Sequence, residues 1–359
     1  MVKIIHTADL HIDSKMQSNL NREKALERKK EILLTFERMV DFAKKNEVKI
    51  IIIAGDMFDS ARVTVKSRDR IFNIIKESPT IDFIYLSGNH DEDSFLSQID
   101  DKYSNLKLFS SNWSTFNYGD IDISGVKLQS SNKHVYDTLN LNEDKFNIVV
   151  LHGQTLKYNL KDDAEKVNLT KLKDKNINYL ALGHIHSFEI DKLDNAGVYC
   201  YSGCLEGRGF DECGEKGFVL LEIENKQLNY KFIPFAKRTL HEVKVDISDK
   251  NDWFDIERVV MNCVSSIKRE DLVKVVLCGK YKLSLEKQIQ HLDSKLNDMF
   301  YFVKIKDESS LEIDAKDYEN DISLKGEFIR EVLNSDIKDE EKEKVILIGL
   351  KALNGEELS

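Results

Sequence analysis

Five short apolar runs in this sequence end alike, each in a small cluster of Asp, Asn or His. The run at 2–6 leads into Asp9-Leu10-His11, and the run at 48–54 into Gly55-Asp56-Met57-Phe58-Asp59. The run at 81–87 leads into Gly88-Asn89-His90-Asp91, and that at 148–151 into His152-Gly153. The fifth, at 179–182, leads into Gly183-His184-Ile185-His186. A lone Asp-x-His reads most simply as a satisfied polar strand end. Five strands that each deliver such groups at one end constrain the fold far more. They are hard to explain except as one site. In open α/β sheets ligands bind there, outside the carboxyl ends of the strands.

The segments between the runs supply the layers. Leu26, Ile32, Leu33, Phe36, Met39, Val40 and Ala43 recur near helical period, which predicts a helix over about 22–46 with one apolar stripe. The run at 48–54 is almost wholly apolar and β-branched, as a parallel strand covered on both faces would be. A second helix is predicted over 68–76, with Pro79 in the turn before the third strand. From 107 to 128 and again from 187 to 235 the pattern is of short strands. The fold class is α/β, a layered β-sandwich flanked by helices.

Near 234–239 the character changes to a β-α-β-α-β order, the pattern of a small α+β domain. Two amphipathic helices follow, one with Leu324, Phe328 and Val332 on a face, the other with Ile346, Leu347, Leu350 and Leu353. An acidic stretch at 336–343 separates them. The expected organisation is a large α/β domain over 1–237, a small α+β domain over 238–306 and a helical segment over 321–355. The two last helices either pack on the core or dock on a partner.

At 359 residues, one large domain with one or two small ones is the natural division. The net charge of −10 argues against a generally basic nucleic-acid binder but leaves room for a local patch. Arg62, Lys66, Arg68 and Arg70 are candidates, as are Arg22, Lys24, Arg28, Lys29 and Lys30; each run reads equally as a solvated helix face. No apolar run approaches the length of a membrane span, and Asp9 and His11 come too early for a signal peptide. The five cysteines lack a disulfide framework and fit a reducing cytoplasm. Cys200, Cys204 and Cys213 have no zinc spacing.

Carboxylate and amide oxygens suit hard divalent metals, and imidazole adds affinity for manganese, iron or zinc. Asp9 and His11, two apart, share one face of an ideal strand. A carboxylate such as Asp56, just past a buried strand, can bridge two ions, and Asn89, His152, His184 and His186 can complete the shells. Two metals about 3.5–4 Å apart activate a water and hold both oxygens of an in-line phosphoryl displacement. His90 directly follows Asn89, so both do not suit the same metal. With Asp91 to orient it, His90 can protonate a leaving oxygen or hold a phosphate oxygen. Asp13 and Asp59 read as turn-stabilising or supporting carboxylates, and His6 as a core or supporting group.

Together, Asp9-x-His11, Gly55-Asp56-x-x-Asp59, Gly88-Asn89-His90-Asp91, His152-Gly153 and Gly183-His184-x-His186 resemble the motif set of the calcineurin-like metallophosphoesterases, in order, over residues 4–186. The resemblance implies one metal on Asp9, His11, Asp56 and His186, a second on Asp56, Asn89, His152 and His184, and His90 as the catalytic histidine. Thr7-Ala8-Asp9-Leu10-His11, Gly55-Asp56-Met57-Phe58-Asp59 and the segment from Gly203 through Arg208 and Glu212 to Gly217 are similar to the DNA-repair exonuclease branch, the SbcD nuclease type. That branch implies a DNA nuclease that uses manganese ahead of magnesium, iron or zinc. It also implies a homodimer, a partner SMC-like ATPase of the SbcC type, and Arg208 near the DNA. Two other functions stay open: a phosphoesterase of small diesters or monoesters, and a non-catalytic scaffold for DNA or a partner. Retention of seven ligands and His90 weighs against the scaffold.

Overall fold

The structure, a computed structural model, describes residues 1–16, 20–59, 63–88, 103–129, 134–157, 166–250, 252–282, 285–312, 318 and 320–353. The chain divides into two compact units, Met1–Leu240 and His241–Ser359.

The first unit opens with β1 (Val2–Thr7), α1 (Arg22–Lys45), β2 (Ile50–Ala54), α2 (Val65–Lys76), β3 (Asp82–Leu86) and β4 (Leu106–Leu108). β5 (Ser114–Tyr118), β6 (Ile121–Gly125), β7 (Phe146–His152), β8 (Gln154–Thr155), β9 (Lys166–Val167) and β10 (Tyr179–Gly183) follow. β11 (Glu189–Lys192), β12 (Val198–Tyr201), β13 (Gly217–Glu224) and β14 (Gln227–Pro234) complete it. These strands form two six-stranded sheets, ordered β14-β13-β1-β2-β3-β4 and β11-β12-β10-β7-β6-β5, and β8 pairs with β9. β1 to β4 are parallel, as are β6, β7, β10 and β12.

Alternation along the strands sorts the apolar side chains into three layers. Ile50, Ile52, Ala54, Ile84 and Leu86 of the first sheet meet Ile123, Ile148, Val150 and Ala181 of the second, which fills the sandwich. Ile51, Ile53, Phe83 and Tyr85 point the other way, onto Ile32, Phe36, Met39 and Val40 of α1 and Ile71 and Ile75 of α2. Val149, Leu151, Leu180 and Leu182 make the third layer on the far face of the second sheet. A fully buried side chain of this size contributes about 1.5–3 kcal/mol. β2 is covered on both faces, which is why Ile50-Ile51-Ile52-Ile53-Ala54 carries no polar residue. The helices start where the caps dictate: Asn21 accepts from Lys24 N at 2.9 Å, and Thr64 from Ser67 N at 3.1 Å. The expected layered α/β class is the observed one.

In the second unit β15 (Leu240–Asp246), β16 (Leu272–Cys278) and β18 (Phe302–Asp307) form a three-stranded sheet. It packs against α3 (Trp253–Val264) and α4 (Ile289–Asn297) through Val273, Val275, Ile256, Val260, Leu292 and Leu296. A small pair, β17 (Lys280–Lys282) with β19 (Ser310–Glu312), was not expected from the sequence. The chain then forms α5 (Leu324–Asn334) and α6 (Asp339–Leu353). Ile329 and Val332 of α5 pack with Ile346 and Leu350 of α6 and with Leu311 of β19. The expected face of the first tail helix needs correction: Leu324 is 67% exposed, and Ile329 takes the inward place. Leu324 is the first residue past the Ser323 N-cap, and the packed face begins one turn later.

Candidate metal centre

β1, β2, β7 and β10 deliver their clusters to one place. Asp9 and His11 do not sit on the strand, as their spacing suggested, because β1 ends at Thr7. Both residues adopt positive φ, 51° and 44°, as does Asp56 at 46°. The two loops then zip together through the backbone: Asp9 N donates to Gly55 O at 3.1 Å, His11 N to Asp56 O at 2.9 Å, and Ile12 N to Met57 O at 3.0 Å. Their side chains converge through this turn, not through strand alternation. Asp13 accepts from Thr64 N at 2.7 Å and so ties the same loop to the start of α2.

Among the described residues two groups place donor atoms within 4.8 Å of one another: Asp9 with His11 and His186, and Asp9 with Asp56 and His152. Asp56 Oδ2 lies between the two halves, 3.8 Å from His11 Nε2 and 3.4 Å from His152 Nε2. Asp9 and Asp56 are therefore both central. His184 is placed differently. Its backbone N donates to both oxygens of Asp9 at 3.0 Å, while its ring stands edge-on to that of His152 at 5.5 Å between centroids. Asn89, His90 and Asp91 lie outside the described residues, as does Arg62.

The donor atoms fit divalent ions. His11 Nε2 and His186 Nε2 face each other at 3.3 Å. With neither hydrogen on Nε2, both lone pairs would be open to a cation beside them. Among the described residues His152 Nε2 is buried without a hydrogen bond, while its Nδ1 is held 2.9 Å from Ala54 O. The Ala54 carbonyl keeps a hydrogen on Nδ1, so an ion that displaces the second ring proton would find the lone pair on Nε2. Burial, with the like charge of Asp56, moves the Asp9 carboxyl up to about 6 against the pull of His186 and His152. Burial opposes charge on His152, but Asp56 and Asp9 outweigh it and raise the ring to about 9.

Glycines allow the close approach of these parts. A Cβ on Gly55, whose φ is 107°, would stand 1.8 Å from His152 Nδ1, and one on Gly183 would stand 1.8 Å from Ala54 O. Away from the centre, His6 is fully buried against the Tyr179 hydroxyl at 2.9 Å, and burial pushes its ring down to about 3. It belongs to the core.

The basic candidates are scattered. Lys66 and Arg70, four apart, share the outer side of α2, Arg68 lies on another side, and Arg70 is paired with Glu37 of α1. Arg28 is 1% exposed, so it is no part of a solvated basic face. Arg208, expected near DNA, grips Glu212, its Nη2 2.6 Å from Oε1. Glu212 in turn lies 2.7 Å from His186 Nδ1. His186 and Arg208 together outweigh the burial of the Glu212 carboxyl and hold it well below the usual carboxylate range. Nothing in the spacing of Glu212, 26 residues past His186, marks it as part of this site.

The model of the calcineurin-like phosphoesterases matches residues 2–188, so the chain belongs to that family of metal-dependent phosphoester hydrolases, which uses a dinuclear metal centre. The uncharacterized metallophosphoesterase YhaO of Bacillus subtilis strain 168 is 25% identical over 294 residues, covering 77% of this chain and 71% of YhaO. Among solved structures, TT1561 of Thermus thermophilus has a TM-score of 0.45 at 13% identity, over 64% of this chain and 98% of that one. A dimetal phosphatase from Danio rerio has a TM-score of 0.44 at 10% identity, over 64% and 95%.

Proposed function

We propose that this chain is a metal-dependent DNA nuclease, the nuclease subunit of a cytoplasmic DNA-repair assembly of the SbcC–SbcD type. The observation that carries the hydrolytic part is the position of Asp56 Oδ2 between His11 and His152, with Asp9 common to both donor groups. Asp9, His11, Asp56 and His186 would hold one divalent ion, and Asp56, Asn89, His152 and His184 a second, manganese by preference. Such a pair supplies positive charge to phosphoryl oxygens and lowers the pKa of a water. The chain's own residues do the rest. Asp9, anchored by the His184 amide, and His152, anchored by Ala54 O, keep the donors fixed. His90, beside Asn89, protonates the leaving oxygen. Support for DNA as substrate comes from the likeness of 7–11, 55–59 and 203–217 to the exonuclease branch. On this reading 1–237 is the nuclease, 238–306 the cap, and 321–355 docks on the ATPase of a homodimeric complex. The ion pairs that occupy Arg70 and Arg208 favour a second reading, hydrolysis of a small phosphodiester or monoester.

One assay separates these readings. Purified protein with Mn²⁺ is offered single- and double-stranded DNA and bis-p-nitrophenyl phosphate. Cleavage of DNA supports the nuclease, and turnover of the small diester alone supports the second reading. His90→Ala should lower phosphodiester turnover by about 10²–10⁴-fold with metal content unchanged. Wild-type turnover in that variant removes His90 from the chemistry, and no hydrolysis by the wild type with any divalent metal refutes both readings.

A further inference from the structure

We propose that Glu212 is a positioning residue for the metal centre, one that fixes the tautomer of His186, and that the segment around it is built to hold it in place. This rests on His186 being a metal ligand. A neutral imidazole carries one N–H and one lone pair, and only the lone pair can ligate. His186 Nε2 points into the centre, 3.3 Å from His11 Nε2. Its Nδ1 points outward to two groups that demand opposite tautomers. Glu212 Oε1, at 2.7 Å, is an acceptor only and requires the hydrogen on Nδ1. Arg208 Nη2, at 3.1 Å, is a donor only and requires a lone pair there, which would put the hydrogen on Nε2 and block ligation.

The distances decide between them. Arg208 Nη2 is 2.6 Å from Glu212 Oε1, so its hydrogen already has a nearer, charged acceptor. The carboxylate takes the Nδ1 hydrogen, and the Nε2 lone pair faces inward. Arg208 then serves to hold Glu212: its Nε lies 3.1 Å from Oε1, and its backbone N donates to Oε2 at 2.7 Å. Glu212 is 5% exposed, so water competes little for either oxygen.

The surrounding segment grips the other end of the same residue. The carbonyl of His186 accepts from Lys216 Nζ at 2.8 Å and from Cys204 N at 3.4 Å. The segment is itself pinned to α1. Arg28 Nη2 donates to Gly207 O at 2.7 Å and to Glu206 at 3.3 Å, and Thr35 Oγ1 donates to Glu206 Oε1 at 2.7 Å. α1 thus pins the backbone at 206–207, and the next residue, Arg208, holds Glu212 against His186. At His152 the corresponding task falls to the carbonyl of Ala54. Groups that orient a ligating histidine in this way are worth about 10–100-fold in metal affinity.

The test uses the full chain and Mn²⁺ alone. Titration calorimetry should show Glu212→Gln binding Mn²⁺ about 10–100-fold more weakly than wild type, with His186→Asn as the positive control. Separately, ¹⁵N-histidine NMR of the metal-free wild type, at a pH where the ring is neutral, should show His186 with its hydrogen on Nδ1. In Glu212→Gln, where Arg208 has lost its nearer charged acceptor, the hydrogen should move toward Nε2. An Nε2–H tautomer in the wild type overturns the proposal however the variant folds. So does Mn²⁺ affinity in Glu212→Gln within twofold of wild type. If the wild type binds no Mn²⁺, or His186→Asn binds it as well as wild type does, it is the underlying reading of His186 as a ligand that fails.

Discussion

Asp9, His11, Asp56 and His184 all sit at positive φ, between 44° and 98°. Non-glycine residues held there cost about 1–3 kcal/mol each, and such strain collects where function fixes the backbone. Gly55 lies inside this set and has room for no side chain. Gly55→Ala should therefore push His152 out of place and weaken Mn²⁺ binding at least tenfold, read by calorimetry; unchanged affinity would show that the loop relaxes without moving His152. A second residue shows how the scaffold is charged. Burial would raise the Glu31 carboxyl, but Arg238, Lys237 and Arg28 outweigh it and hold it at about 2, below its usual 4.5. A carboxyl depressed on folding stabilises the protein fully above its unfolded pKa and loses that contribution as pH falls toward the folded value. Glu31→Gln should accordingly lose about 3 kcal/mol at pH 7, with the deficit shrinking as pH is lowered from about 4.5 toward 2. Urea unfolding across that range checks it; a deficit independent of pH would mean that packing, not charge, is what Glu31 supplies.

At the scale of elements, the tail helices show how far an amphipathic pattern reads. Neither is long enough to be stable alone in water, so each must cover its apolar face. They cover part of it on one another and on Leu311, whose backbone N also donates to Glu343 at 2.6 Å. α6 still shows Val345, 39% exposed, and Ile348, 55% exposed, on the side away from Ile346 and Leu350. If that side docks on the ATPase, the double variant Val345→Asp/Ile348→Asp should abolish co-purification. It should shift stability by no more than about 0.5 kcal/mol, as exposed substitutions do. Retained co-purification, with the fold intact, would take this face out of the interface.

For the molecule as a whole, every described group of the candidate centre, and the segment that holds His186, lies within Met1–Leu240. Among the described residues no helix is long and apolar enough to cross a membrane. A fragment of residues 1–240 should then bind Mn²⁺ within about twofold of the full chain and hydrolyse the chromogenic diester, because its two sheets and their covering helices are complete. Failure of the folded fragment to bind metal would place a needed group in the second unit.

What the sequence determined by itself was local and periodic. Five apolar runs with chelating ends, the stripe of α1, and the change of pattern after residue 234 are all written in neighbouring residues, because period and capping act over one or two turns of chain. From these the layered α/β class and the identity of the clustered side chains were legible. Tertiary structure alone decided how those side chains meet. Asp9 and His11 converge through left-handed turns zipped to the Gly55–Asp56 loop, not through strand alternation. Arg28 reads as part of a solvated helix face in the sequence, and nothing in the spacing of Glu212 marks it, yet both are buried partners of groups far along the chain. A buried charge is tolerated only where a partner meets it, and that partner is chosen by the packing of the sheets, which no local pattern encodes.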